Sequence, residues 1–181
     1  MADAAFKQKN RLLKQCAREA LNASSVRSGL FLEKLEKDEK GRPLPSNNFF
    51  WSISHKNEFA GGVVSKSAIG IDIEKIKNIS THLFNRIVSS EEKKCFKKDD
   101  DPTIFFRCFT AKEAVLKAVG VGLPGLKDIV ATKAEDPLTL CLDYKNIAYK
   151  VEHIFFNKYI ATIVKDDSRN KYKVEWQIKE A

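Results

Sequence analysis

Several common sequence features are missing from this protein, and each absence excludes a class of protein. No apolar run approaches the ~18 residues of a membrane-spanning helix, and the first residues, MADAAFKQKNRLLK, lack the apolar core of a secretory signal. No Walker-type lysine loop and no GxSxG nucleophile elbow occurs. We therefore expect a soluble protein of the cytoplasm that uses neither of these phosphate-binding or nucleophilic motifs.

Closely spaced cysteines are missing as well. The sequence has four cysteines, and no two of them have the spacing of a zinc site or a redox motif. They are predicted to be reduced thiols, mostly buried, which fits a cytoplasmic location. The four are Cys16, Cys95, Cys108 and Cys141.

Positively charged residues outnumber negatively charged ones in this sequence. The 181 residues include 32 lysines and arginines against 24 acids, for a net charge of +8. Such a balance favours a polyanionic partner. Nucleic acid, a phosphorylated small molecule and an acidic protein surface all satisfy it, and charge alone does not choose among them.

Hydrophobic periodicity predicts an α+β fold of helices and many short strands. Helices are predicted at residues 6–22, just after Ser80, from a capping box at Ser89–Glu92 through Phe96, and at 105–123. Strands are predicted at 30–35, 49–54, 58–65, 67–76, 127–132, 138–143, 148–156, 159–165 and 172–178. A proline-containing turn at 41–45 holds Arg42.

The helix predicted at 105–123 carries charge on an otherwise apolar pattern. Asp101 and Pro102 are expected to begin it, and Gly120 is expected to end it. Glu113 and Lys117 are four residues apart and therefore lie on one edge of the apolar stripe. Lys112 interrupts the stripe itself, at a position where an ordinary helix has an aliphatic residue.

Carboxylates at two places in the chain predict a magnesium site. Asp72 and Glu74 are two residues apart on a predicted strand and so share one face. Together with Glu113 they form a set of hard oxygen ligands that leaves positions for water and phosphate. Lys112, Lys117 and His55 would neutralise the phosphate oxygens. The set predicts metal-assisted phosphoryl chemistry.

The order of four motifs adds a family resemblance. GRP, SISH, GIDIE and FTAKEAVLKAVGVGL follow one another along the chain, and this series resembles the 4′-phosphopantetheinyl transferases, specifically the Sfp-type. The resemblance spans roughly residues 11–126. It implies two pseudo-symmetric α/β halves with a ligand cleft between them. We expect a shortened N-terminal half at residues 1–67 and a C-terminal half at 68–181 that carries the metal site.

The resemblance also implies a reaction and roles for single residues. Such enzymes transfer phosphopantetheine from coenzyme A to a serine of an apo acyl or peptidyl carrier protein and release adenosine 3′,5′-bisphosphate. They depend on Mg²⁺, with Mn²⁺ as a possible substitute. The implied metal ligands are Asp72, Glu74 and Glu113. The implied coenzyme A contacts are Arg11, Arg42, Ser54, His55, Lys112 and Lys117. The implied catalytic residues are Glu113, which accepts the serine proton directly or through water, together with Lys117 and His55.

This chain departs from the family pattern at several positions. Some tens of residues that usually precede the first helix in this family, including basic residues that grip the nucleotide, are expected to have no counterpart in these 181 residues. Phe109 replaces the usual tryptophan, Lys56 stands where serine is frequent, and Arg42 replaces a lysine.

Two other functions stay open from the residues. Acids beside lysines on a basic surface also suit a magnesium-dependent nuclease or phosphodiesterase. A degenerate homologue that binds carrier proteins without catalysis is the third reading. Of the partners, we expect an acidic carrier protein and coenzyme A, with neither nucleic acid nor membrane, and a monomer with an internal cleft.

Overall fold

The computed structural model describes residues 2–97, 100–167 and 173–178. Within these residues, no helix combines the length and the apolarity needed to cross a bilayer. Four α-helices and one 3₁₀ segment are present in this part of the chain. They are α1 (Ala2–Ser28), α2 (Thr81–Ile87), α3 (Ser90–Lys93), α4 (Asp101–Val119) and the 3₁₀ segment Leu123–Asp128.

Among the described residues, seven strands form two antiparallel sheets. The strands are β1 (Phe50–Lys56), β2 (Phe59–Ser65), β3 (Ile71–Lys75), β4 (Ile129–Ala134), β5 (Thr139–Tyr144), β6 (Ile147–Phe156) and β7 (Tyr159–Asp167). β1 and β2 form a hairpin that stands alone as a two-stranded sheet, and the other five are ordered β3-β7-β6-β5-β4. The strand that carries the two acids, β3, is therefore an edge strand.

The ends of α4 follow from local sequence. The side chain of Asp100 accepts a hydrogen bond from the Thr103 backbone N–H at 2.9 Å, and Gly120 ends the helix in the left-handed conformation, with φ of 73°. The sequence-based prediction of the helix end is confirmed, while the N-cap is Asp100 and not Asp101. The capping box at Ser89 and Glu92 is also confirmed.

The core of the described residues has three clusters, one of which lies around Ile73, Tyr159 and Ala161. α4 packs on the five-stranded sheet and forms the largest cluster, while α1 packs on the hairpin around Leu21, Trp51 and Val64. Both layers depend on a glycine. A Cβ on Gly62 would lie 2.4 Å from the backbone N of Leu21, and a Cβ on Gly70 would lie 1.9 Å from the carbonyl O of Ala114. Each helix thus approaches its sheet more closely than any side chain allows.

Two predicted strands are absent. Residues 30–35 are irregular, because the Ser46 hydroxyl accepts the backbone N–H groups of Glu33 and Lys34 and no neighbouring strand does. Residues 173–178 also form no strand, and position 172 lies outside the described residues. The apolar pattern there reflects Trp176, which packs on the core and donates its indole N–H to Glu152 at 2.8 Å.

The α+β prediction is confirmed. One helix on two strands and a second helix on five strands make two unequal layers. The pseudo-symmetry of the halves and their boundary at residues 67 and 68 stay predictions.

Candidate functional site

The sheet register places a row of polar side chains beneath α4. Asp72 on β3 pairs with Thr162 on β7, and Thr162 pairs with His153 on β6. Directly paired residues share a face of the sheet, and Thr162 shows which face it is, because its hydroxyl lies 2.6 Å from the Thr110 hydroxyl of α4. Asp72 therefore points toward α4, and only 6% of it is exposed.

Glu113 projects from α4 next to this row. Its Oε1 and the Oδ2 of Asp72 are both buried, and neither has a hydrogen-bond partner. Burial raises the pKa of Glu113, and repulsion from Asp72 and Glu74 raises it further, while Lys117 opposes the shift. Each acid thus has a buried oxygen without a hydrogen-bond partner, and such an oxygen is suited to bind a cation.

Lysines hold the other oxygens of the β3 acids. Lys117 Nζ donates to Asp72 Oδ1 at 2.7 Å and to the Ile71 carbonyl at 2.9 Å. Lys56 Nζ donates to Glu74, at 2.8 Å from Oε2 and 3.0 Å from Oε1. Burial raises the pKa of Glu74, although Lys56 opposes this.

Serine hydroxyls join β1 to β3. Ser52 accepts the backbone N–H of Ile71 and Ser54 accepts that of Ile73, each at 3.2 Å. Ser54 also donates its own proton to Asp72 Oδ1 at 3.1 Å. Ser54 was predicted as a nucleotide contact. In the structure it connects the hairpin to the edge of the larger sheet and orients one acid.

A cleft of about 560 Å³ is lined by Asp72 and Glu74, whereas Glu113 does not line it. We call it the basic cleft. His55 lies in its wall, and burial lowers the pKa of this imidazole, with further lowering by Lys14, Lys117 and Lys37. The residues that line the basic cleft are Lys14, Arg18, Leu35, Lys37, Trp51, Ile53, Ser54, His55, Lys56, Asp72, Ile73, Glu74 and Lys117.

Lys112 is not in the basic cleft, contrary to the sequence-based expectation that it contacts coenzyme A phosphates there. Its ammonium is buried and lies 2.8 Å from Glu92 Oε1, and it donates to the Ile87 carbonyl at 2.7 Å. Glu92 accepts the Ala131 backbone N–H as well. Lys112 interrupts the apolar stripe because it ties α4 to α3.

The two predicted arginines do not line the basic cleft either. Arg42 forms an ion pair with Asp38 at 3.0 Å, and its side chain lies against Gly120. It thus connects the proline-containing turn at 41–45 to the end of α4. Arg11 is exposed on α1. Lys14 and Arg18, three and seven residues further on, share its helical face and reach the basic cleft.

Sequence reasoning missed Lys14 and Lys37 as cleft residues. The spacing from Arg11 through Lys14 to Arg18 was a usable signal, since it marks one basic stripe on α1. No local signal identifies Lys37. It lies in an irregular segment and reaches the basic cleft only because that segment folds over Trp51, whose ring centroid is 6.0 Å from the Lys37 ammonium.

The residues fit a divalent cation in their chemistry. Three carboxylates face one region, and two of them carry a buried oxygen with no partner. Among the described residues, however, no three His, Cys, Asp or Glu side chains are drawn together closely enough to hold a metal ion. Glu74 is the acid whose two oxygens both contact a lysine, Lys56.

Part of the chain is similar to known proteins. The family model of the 4′-phosphopantetheinyl transferase superfamily matches residues 68–164. The chain is 30% identical over 107 residues to the 4′-phosphopantetheinyl transferase psf-1 of Bacillus pumilus, which covers 56% of this chain and 46% of that protein. It is 37% identical over 100 residues to enterobactin synthase component D of Salmonella typhimurium, covering 52% and 43%.

The transferase Sfp of Bacillus subtilis is similar too, at 32% identity over 97 residues, covering 50% of this chain and 42% of that protein. The chain spans about half the length of these curated relatives. The matched residues 68–164 include Asp72, Glu74, Glu113 and Lys117 and make up more than half of the sequence. On this match, the chain belongs to the 4′-phosphopantetheinyl transferase superfamily.

Proposed function

We propose that this protein transfers the 4′-phosphopantetheine group from coenzyme A to a serine of an apo acyl or peptidyl carrier protein, in a magnesium-dependent reaction. The observation that carries the proposal is the pair of buried, unpartnered oxygens, Asp72 Oδ2 and Glu113 Oε1, beside a cleft rich in lysine and arginine. Unpartnered carboxylate oxygens are suited to bind Mg²⁺, and the lysine and arginine side chains around them are suited to bind phosphates.

Asp72, Glu74 and Glu113 would hold Mg²⁺. When bound, the ion supplies charge neutralisation at the diphosphate of coenzyme A. Mn²⁺ prefers the same oxygen donors and is expected to substitute.

The phosphates of coenzyme A would bind along the basic cleft. Lys14, Arg18 and Lys37 line it and pair with no carboxylate of the described residues, so their charges are available to an anion. His55 stands among three lysines with a lowered pKa, so it is largely neutral before an anion arrives. A phosphate beside it would offset the lysines and favour the protonated imidazole.

The reaction breaks one bond of the diphosphate and forms one bond to serine. The serine Oγ attacks the phosphorus that bears pantetheine, and adenosine 3′,5′-bisphosphate leaves with the bridging oxygen. Glu113, whose pKa is raised, would accept the serine proton directly or through water. Lys117 lies next to Asp72 and would stabilise the charge that develops on the leaving group.

The carrier is proposed by charge complementarity. Carrier proteins of this class are commonly acidic, and the chain has a net charge of +8. Fatty-acid, polyketide and peptide carriers share this property, so a test needs a panel of them.

The test is the intact mass of apo carrier proteins after incubation with this protein, coenzyme A and Mg²⁺. A gain of about 340 Da, the mass of phosphopantetheine, is expected, and chelation of the metal should abolish it. Glu113→Gln removes the charge of the proposed base with little change in shape and should remove the gain. Glu91→Gln, on the exposed side of α3, is the matched control and should retain it.

Absence of the gain with every carrier would overturn the proposal. Retained binding of coenzyme A would then favour the degenerate carrier-binding homologue. Loss of coenzyme A binding would favour a magnesium-dependent nuclease or phosphodiesterase, which assays of those two activities would test.

A further inference from the structure

The two acids of β3 are held by lysines in different ways. Lys117 contacts one oxygen of Asp72 and leaves the other bare. Lys56 contacts both oxygens of Glu74, at 2.8 and 3.0 Å. Of the three proposed metal ligands, only Glu74 therefore has both oxygens occupied by a cation of the protein itself.

The position of Lys56 is set by the joint between the sheets. Ser52 binds the backbone N–H of Ile71, and Ser54 binds that of Ile73. The alignment thus advances by two residues on each strand, and two residues beyond Ser54 it brings Lys56 to the neighbourhood of Glu74. The strand register therefore places Lys56 within reach of Glu74.

The two partners differ in exposure. The Lys56 side chain is 40% exposed, whereas Glu74 is 16% exposed. The lysine can therefore move its ammonium into the open basic cleft, which it also lines. The more buried Glu74 side chain cannot move in this way. It can exchange Lys56 for another cation only at its present position.

We infer that Lys56 competes with the divalent cation for Glu74. Asp72 and Glu113 each offer an unpartnered oxygen to a cation, whereas Glu74 would be available as a ligand only when Lys56 leaves it. This inference rests on the proposed function, and it makes Lys56 a positioning residue that lowers the affinity for metal. It also accounts for the lack of an assembled three-carboxylate group among the described residues.

The experiment measures Mn²⁺ binding by electron paramagnetic resonance, with no substrate present. Lys56→Ala should tighten binding about two- to fivefold, the size expected when a partly exposed ion pair no longer competes. Lys56→Gln keeps the length of the side chain and should act in the same direction. Circular dichroism and a thermal melt establish that both variants are folded.

Lys75→Ala is the matched control. Lys75 follows Glu74 directly and is also 40% exposed, but its carboxylate partner is Glu58, at 3.8 Å. Lys75→Ala removes the same charge from a residue next to Glu74, so it reports the general electrostatic effect. Its Mn²⁺ affinity should change by less than that of Lys56→Ala.

A double variant isolates the contact. In a Glu74→Ala background, Lys56→Ala should no longer tighten binding, because the ligand that the lysine blocks is gone. Equal or weaker binding by Lys56→Ala and Lys56→Gln would overturn the inference, as would equal tightening by Lys75→Ala. If the Lys56 variants bind Mn²⁺ with unchanged affinity and the protein transfers phosphopantetheine, the inference about Lys56 is overturned and the proposed function is not. Absence of both metal binding and transfer would overturn the proposed function with it.

Discussion

Lys117 Nζ lies 2.7 Å from Asp72 Oδ1 and so joins the last turn of α4 to the edge strand of the five-stranded sheet. The same ammonium donates to the Ile71 carbonyl. The Lys117 side chain is 30% exposed and lines the basic cleft. One lysine thus orients an acid of the candidate metal site and presents charge to an incoming phosphate.

Lys117→Ala should lower kcat/KM of transfer about a hundredfold, because it removes the charge proposed to stabilise the leaving group. Lys117→Arg should recover part of the loss. The measurement is the initial rate of carrier modification by intact mass. Lys127→Ala changes an exposed lysine outside the basic cleft and should keep the rate of the unmodified protein. Equal rates for Lys117→Ala and Lys127→Ala would contradict this role.

Lys112 and Glu92 form a buried ion pair, with side-chain exposures of 5% and 4%. Lys112→Met should lower the free energy of unfolding by about 3–5 kcal/mol, since it leaves the carboxylate buried without its partner. Urea unfolding measures the loss. Replacing both residues, as in Lys112→Met with Glu92→Leu, should recover much of the stability. Unchanged stability of Lys112→Met together with weaker binding of coenzyme A would contradict this structural role. It would indicate that Lys112 contacts coenzyme A.

A buried hydrogen-bond chain determines the protonation of His153. Thr110 donates to the Phe106 carbonyl at 2.7 Å, so it must accept from Thr162, and Thr162 must then accept from His153 Nδ1–H at 2.8 Å. The neutral ring carries its proton on Nδ1, and its buried Nε2 has no partner. Burial, with the nearby charge of Arg107, lowers the pKa of His153 well below its ordinary value.

This lowered pKa predicts how stability depends on pH. Below about pH 6.5 the unfolded chain binds a proton at His153 that the folded protein does not, so stability falls with falling pH by up to about 1.4 kcal/mol per unit. Above that pH the contribution is constant. Urea unfolding across this range measures the slope, and His153→Gln should reduce it. An equal slope in both proteins would contradict the assignment.

Gly70 allows α4 to approach β3. Gly70→Ala would place a Cβ 1.9 Å from the Ala114 carbonyl O, so the helix must shift, at a cost of about 1–3 kcal/mol or more. The shift also separates Glu113 from Asp72, and Mn²⁺ affinity should fall. Gly61→Ala is the control, since its Cβ would meet side-chain ends and no backbone atom, Ile73 Cδ1 at 3.0 Å and Ile71 Cδ1 at 3.1 Å. Similar stability and metal affinity for both variants would contradict this account.

Much of the local structure could be predicted from the sequence. Gly120 ended a helix and Ser89 with Glu92 began one, because caps act through neighbouring residues. The prediction of a strand at 30–35 was wrong, because a strand needs hydrogen bonds from a partner strand, which is not a neighbouring residue. In the structure the Ser46 hydroxyl accepts the backbone N–H groups of this segment instead.

The sequence by itself determined which acids are available and on which elements they stand. Asp72 and Glu74 share a strand face and Glu113 lies on a helix, and these follow from spacing alone. The tertiary structure decided which cation meets which acid. Lys112 turned to Glu92 and Lys117 to Asp72, although both lysines stand on one helix. An ion pair across the fold depends on packing between distant segments, and no local pattern encodes that distance.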